Sequence, residues 1–554
     1  MGCGVNTRAT VGFEAKNVRP DTDFQVVFTK ARDDIAAHLM AFRDGTDDGY
    51  FLLLLSPGLD TQPDHVLPKD VVFVLDTSGS MAGDKLKQAQ KALLFCIENL
   101  GGTDRFEIIR FSTEVEPVFG RLADTGEKNR DQAAQFLKDL KPIGGTAIEA
   151  ALSTALKLRP EKSDRPFVVI FLTDGQPTIG STSEDEIVTQ VDRASGGATR
   201  VFCFGIGTDV NTHLLDRITE KTRAVSQYVL PEEDIEVKVS GFFSKIKEPV
   251  LAGPTLTADG PVRLAKMYPS PLPDLFRGDQ LVLTGRYDRG GRAALRLEGM
   301  VNGKKREFVY NVEFLERETA QAFIPRLWAA RRIGFLLDEI RLRGENAELR
   351  DEVADLARRF GIVTPYTSYR IVEDEERRSV PVAQRSLQIL GADPVARAEA
   401  GRFYDSFNAD KSGQRGVGAA RSYGGLKAAD KPDIAVAQST AEVEWNVAQE
   451  MAVSGPTPAP SSAAFKSMGA TAGAVTARMT QQSRFIAGRN FFQNGSQWVD
   501  SNAQNLRNPK RVQIPFNSTD YFALMKKHPE AWPWLSLGRN IQLVLGDTLY
   551  EIVD

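Results

Sequence analysis

Two carboxylates and three hydroxyls, each placed just after an apolar run or at the start of a helix, are the residues here best suited to chemistry. Asp76, Ser78 and Ser80 alternate in Asp76-Thr77-Ser78-Gly79-Ser80, directly after Val71-Val72-Phe73-Val74-Leu75. Gly79 lets the backbone turn sharply between the two serines. Thr146 follows Gly144-Gly145 and opens the helical pattern Ala147-Ile148-Glu149-Ala150-Ala151-Leu152. Asp174 follows a second wholly apolar run, Phe167-Val168-Val169-Ile170-Phe171-Leu172, and Thr173. Hard oxygens turned to one side of a loop suit a small divalent cation. Mg²⁺ in particular takes few protein ligands and keeps waters. Ser and Asp are common in any turn, so the first loop alone says little. Specificity comes from the matching oxygens at later strand ends.

The elements that must position these residues are legible between 66 and 248. Strands are predicted near 71–75, 106–111, 167–172, 201–206 and 226–230, and helices near 83–99, 129–140, 147–158, 185–194 and 212–223. Apolar strands alternating with helices imply an α/β fold, a doubly wound, mostly parallel sheet covered on both faces, with loops at its carboxyl edge forming the site. Asn211 is placed as a helix N-cap. Asp209, after the fourth of these strands, is read as a solvated loop acid. Cys96 and Cys203 fall in the apolar faces of a helix and a strand and read as core.

Asp-x-Ser-x-Ser, a later Thr and a later post-strand Asp together resemble the metal-ion-dependent adhesion site of von Willebrand factor A domains. The resemblance implies a Rossmann-like fold and a divalent cation, Mg²⁺ first, with Mn²⁺ or Ca²⁺ as alternatives. It implies that Ser78 and Ser80 bind the metal directly, Thr146 directly or through water, and Asp76 and Asp174 mostly through water. A partner protein's Asp or Glu carboxylate then completes the coordination. The expected function is metal-dependent adhesion or protein capture, with no catalytic residue.

The flanks extend the resemblance from about residue 13 to 372. Asn17-Val18-Arg19-Pro20-Asp21-Thr22-Asp23-Phe24, a Leu-rich strand at 50–55, β-type alternation over 249–316 and helices opening at Ile324-Pro325-Arg326-Leu327-Trp328 are similar to inter-alpha-trypsin inhibitor heavy chains. Accordingly, 1–60 is read as the tail of a truncated β domain that precedes the A domain in that family. The segment 249–316 is expected to pack with those strands, and 317–372 to form a helical hairpin whose Arg and Glu residues make a solvated face. The stretch 373–480, with a helix expected near 383–406, turns rich in Gly, Ala, Ser and Pro and reads as a flexible tether. A small α+β domain is expected over 481–554, with Trp532 and Trp534 in its core.

The 554 residues, 42% hydrophobic and 26% charged with a net charge of −4, fit a multidomain globular protein and argue against a nucleic-acid surface. Three cysteines make no disulfide framework and four scattered histidines no metal-ligand spacing. There is no nucleophile elbow, zinc-protease motif or phosphate loop, so neither an enzyme nor a nucleotide binder is expected. No apolar run is long enough to span a membrane. The family resemblance places the chain outside the cytoplasm, secreted or in the cell envelope, with any export signal upstream of Met1. Two rivals stand beside adhesion. One is a structural envelope scaffold whose site is empty or filled by an acid of this chain. The other is an adaptor subunit for a partner ATPase, against which the flanking segments argue.

Overall fold

The computed structural model describes residues 35–57 (without 45–47), 68–438, 441 and 483–554 (without 507–508). Within 68–438 the exceptions are 162, 164, 198, 247–248, 302–303 and scattered residues between 388 and 408. The Asn17–Phe24 stretch, Cys3, His65 and the Pro-rich part of the tether lie outside the described residues.

Two N-terminal strands, β1 (Ile35–Phe42) and β2 (Gly49–Pro57), precede the α/β region. Next come β3 (Asp70–Asp76), α1 (Asp84–Glu98), β4 (Arg105–Phe111), the short β5 (Val115–Pro117) and β6 (Ala123–Asp124), and then α2 (Glu127–Asp139) and α3 (Ile148–Lys157). They are followed by β7 (Phe167–Thr173), α4 (Glu184–Ser195), β8 (Thr199–Ile206), α5 (Thr212–Lys221), β9 (Ser226–Val229) and α6 (Ile235–Ile246). Strands β3, β4, β7, β8 and β9 pair in parallel, in the order β4-β3-β7-β8-β9, and β5 and β6 add antiparallel edges on β4.

Every residue of β3, β7 and β8 is buried, because helices cover both faces of the sheet. Val71, Phe73 and Leu75 pack with α1, α2 and α6, while Val72 and Val74 pack with α3, α4 and α5. The strand order reverses between β3 and β7. In an open α/β sheet that switch point opens the crevice where ligands bind, at the carboxyl ends of the strands. Asp76 ends β3 and Asp174 follows β7.

Two four-stranded sheets follow from β10 (Pro249–Asp259), β11 (Leu264–Tyr268), β12 (Leu275–Phe276), β13 (Leu281–Tyr287), β14 (Gly291–Val301) and β15 (Lys304–Phe314). One has the order β1-β2-β13-β11 and the other β12-β10-β14-β15. Phe51, Leu53, Leu283, Leu295 and Leu297 form the core between them. The outer face of the first sheet, with Tyr50 and Leu52, packs on Trp328 of α7 (Ile324–Arg343). Helices α8 (Ala347–Phe360) and α9 (Pro365–Arg377) complete this helical layer.

Two expectations fail here. Six charged residues of α7 to α9 do not join the solvated, salt-bridged face: Arg331, Asp338, Arg341, Arg358, Asp374 and Glu375 are all buried. Helix α7 is wedged between the β-sandwich, α8 and the α/β region, so its charges pair inside that wedge. Arg341 bonds both Asp338 and Asp216 of α5. Nor does the tether extend through 413–427, where α10 (Gly413–Lys427) buries Val417, Ala420, Tyr423 and Leu426. Helix α7 makes room for it. A Cβ on Gly334 of α7 would lie 2.7 Å from the Lys427 backbone nitrogen.

The C-terminal residues form a six-stranded mixed sheet with helix α11 (Thr519–Lys527). Trp534 is in its core, whereas Trp532 is largely exposed.

Candidate metal centre

The loop after β3 is shaped by its own side chains. Asp76 is fully buried, and its Oδ1 accepts the Ser78 backbone N–H at 2.8 Å. Its Oδ2 accepts the Thr173 hydroxyl at 2.6 Å, which ties the end of β3 to the end of β7. Thr77 turns away and gives both its N–H and its hydroxyl to the Phe111 carbonyl of β4. That leaves Ser78 and Ser80 together on the other side, their hydroxyl oxygens 3.1 Å apart. The Ser80 hydroxyl donates to Asp174 Oδ1 at 2.7 Å. Four of the five candidate residues thus form one hydrogen-bonded chain.

Thr146 joins from the neighbouring loop. Gly144 takes φ +78°, a left-handed conformation that favours glycine, and its carbonyl accepts the Gly79 N–H at 3.1 Å. Thr146 N–H donates to the Thr178 hydroxyl oxygen at 2.8 Å, and the Thr146 carbonyl accepts the Thr178 N–H. A Cβ on Gly175 would lie 3.4 Å from Thr146 Oγ1, so that hydroxyl sits against the residue after Asp174. The three loops therefore interlock through the backbone.

Asp76 accepts only neutral donors. Burial pushes its carboxyl up to about 6 against the lowering effect of those bonds, and the nearby Asp174 charge pushes the same way. A buried carboxylate beside a second one, with two adjacent hydroxyls and a third close by, is a donor set a hard divalent cation would satisfy. Among the described residues no three His, Cys, Asp or Glu side chains gather as a metal cluster. A cation held here would lean on the neutral hydroxyls.

Lys85, in the first turn of α1, escapes a reading of the sequence alone. Its ammonium donates to Asp174 Oδ2 at 2.7 Å and to the Ser80 carbonyl at 3.4 Å. Asp174 is completely buried and Lys85 about a third exposed. The only sequence signal is a lysine five positions after Ser80, which means nothing until α1 is known to start at Asp84. Asn211 caps α5 through Leu214 N–H, and Asp209 is exposed, as expected of each. Cys96 and Cys203 are buried, and burial pushes both thiols up, as befits core residues.

A model of the von Willebrand factor type A domain matches residues 69–227. Human inter-alpha-trypsin inhibitor heavy chain H4 is 27% identical over 372 residues, 62% of this chain and 38% of that protein. The Bos taurus heavy chain H3 is 27% identical over 356 residues, 60% of this chain and 39% of that one. The chain therefore spans about two fifths of the length of these curated relatives, and the similarity runs well beyond the A-domain segment. A solved von Willebrand factor type A structure from Catenulispora acidiphila aligns with a TM-score of 0.45 at 15% identity, covering 67% of this chain and 96% of that one.

Proposed function

We propose that this chain, a von Willebrand factor A domain protein of the inter-alpha-trypsin inhibitor heavy chain-like family, is a non-enzymatic protein-binding or adhesion module acting outside the cytoplasm. Its proposed site is Asp76, Ser78, Ser80, Thr146 and Asp174, with a divalent cation that accepts a partner's Asp or Glu carboxylate. One observation carries this. The buried Asp76, bonded only by neutral donors, lies one turn from paired serine hydroxyls whose far side is held by a second buried carboxylate. A bound cation supplies a Lewis-acidic position for one more oxygen ligand. The chain's residues do the rest. Asp174 accepts the Ser80 hydroxyl's hydrogen bond, which turns that oxygen's lone pairs away from Asp174. Asp76 fixes the turn through Ser78 N–H, and the loop bonds hold Thr146 at the same edge. No nucleotide or nucleic acid has a part in the proposed function, and among the described residues no helix is long and apolar enough to cross a membrane.

The structural-scaffold alternative has one observation behind it: the Lys85 ammonium already supplies a cation to Asp174. A thermal melt against Mg²⁺, Mn²⁺ and Ca²⁺ separates the two. Ligand binding only the folded state raises stability by RT ln(1 + [L]/Kd). The expected result is a dose-dependent shift in the wild type that is absent in Asp76→Ala. No shift with any of the three ions would favour the scaffold.

A further inference from the structure

The chemistry of the partner can be narrowed, given the metal-dependent reading above. Among the described residues of the A domain, four large aliphatic side chains are exposed: Ile143, Ile179, Val225 and Val237. Single exposed aliphatics need no explanation. Here placement matters. Val225 precedes β9 at the opposite edge of the sheet, and Val237 lies on α6. Ile143 and Ile179, 66% and 37% exposed, both sit on the loops that carry Thr146 and Asp174.

Neither isoleucine hangs on a loose tip. Ile143 N–H donates to the Thr77 carbonyl at 2.8 Å, within the Asp76–Ser80 loop, and Ile179 N–H donates to the Thr146 carbonyl at 3.3 Å. A Cβ on Gly145 would lie 2.9 Å from Ile179 Cγ1, so the bare glycine backbone lets this side chain lie over the Gly144-Gly145 segment. Two stiff, β-branched groups are thereby held in the open on the loops that carry the candidate site.

The charge at the centre complements an anion. With a divalent cation seated, Asp76 and Asp174 cancel its two charges and Lys85 leaves one positive charge over. We propose that this face recognises an exposed segment of a partner protein in which an Asp or Glu carboxylate lies within two residues of a bulky aliphatic or aromatic side chain. The acid goes to the cation, and its apolar neighbour covers Ile143 and Ile179.

The test pans a random linear dodecapeptide library on the full chain in Mn²⁺, with chelator and Asp76→Ala as controls. Metal-dependent peptides should carry an acid with Leu, Ile, Val or Phe within two positions. The double variant Ile143→Ser/Ile179→Ser should keep the wild-type Mn²⁺ melt shift yet bind those peptides at least tenfold more weakly. Metal-dependent peptides flanked by polar or basic residues, equal binding to the double variant, or no metal-dependent peptide despite a melt shift would each overturn the proposal and leave the metal site standing. Recovery indifferent to metal and to Asp76 sinks the metal-dependent reading itself.

Discussion

Replacing Lys85 by Met should move stability and metal affinity in opposite directions. Without metal, the change strips the ammonium from Asp174 Oδ2, 2.7 Å away, and leaves a fully buried carboxylate with only the Ser80 hydroxyl. Losing one partner of a buried charge costs several kcal/mol. With Lys85 about a third exposed, solvent screening reduces that to about 2 kcal/mol. With metal, the sign reverses. A cation held by Ser78 and Ser80 would share Asp174 with the ammonium, and a separation of about 6 Å sizes their repulsion. Two charges against one at that distance repel by about 1.4 kcal/mol in a water-like medium, or about tenfold in affinity, and by more at lower dielectric. The assay is a melt in chelator followed by Mn²⁺ titration by calorimetry on wild type, Lys85→Met and Lys85→Arg. The Met variant should melt lower in chelator and bind Mn²⁺ about tenfold more tightly, while the Arg variant stays near wild type. Equal or weaker Mn²⁺ binding by a folded Lys85→Met protein would refute the charge reasoning.

Other predictions follow from the same packing. His213 is buried on α5 and its Nε2 has no partner. Burial first, then the Arg341 charge, push it down from 6.5 to about 4. The unfolded chain takes up that proton first, so stability should be full above pH 6.5 and fall by up to about 3 kcal/mol as pH drops through 4. Urea unfolding at pH 7 and pH 4 should show this, and His213→Asn should flatten that part of the slope. At Gly334, the Lys427 backbone blocks any side chain at 2.7 Å. Gly334→Val should therefore cost roughly 1–3 kcal/mol by overpacking and expose 413–427 to limited proteolysis. If the variant resists the protease as the wild type does, α10 is not held by that contact.

The α/β core was legible because its central strands are apolar from Val71 to Leu75 and from Phe167 to Leu172, runs that a sheet buried on both faces tolerates. The site residues were legible for a related reason: strand ends are where such a sheet must place them. Helix α6 was not. Ile235-Glu236-Val237-Lys238-Val239-Ser240-Gly241-Phe242-Phe243 is rich in β-branched and aromatic residues and has a glycine inside. Tertiary packing overrides that propensity, since Ile235, Val239, Phe242, Phe243 and Ile246 line one helical face against α1 and the sheet. The short edges β5 and β6 carry too few residues for any period to register. Buried charge on α7 and α8 is invisible to sequence for a different reason: Arg341 reads as solvated until its partners, Asp216 and Asp338, are known to arrive from both sides.

Small-residue composition was the most misleading signal, and its correction changes how the metal face is framed. Gly- and Ala-rich chain reads as a tether because it cannot build a core of its own. Yet α10 buries Val417, Tyr423 and Leu426 and lies against Gly334 of α7, and there Lys427 pairs with Asp338 in the network that also holds Arg341 and Asp216 of α5. At the other end of α10, the Lys411 carbonyl accepts both the N–H and the hydroxyl of Thr212, and the Gln176 side chain donates to Ser412 at 2.9 Å. Gln176 stands two residues after Asp174. The helix thus spans from the buried charge network to the loop that carries a site carboxylate. Any partner approaching the proposed metal face meets a rim built partly by residues more than two hundred positions away in sequence. An A domain cut out at 66–248 would keep all five site oxygens and lose that wall, so partner binding should be measured on the whole chain.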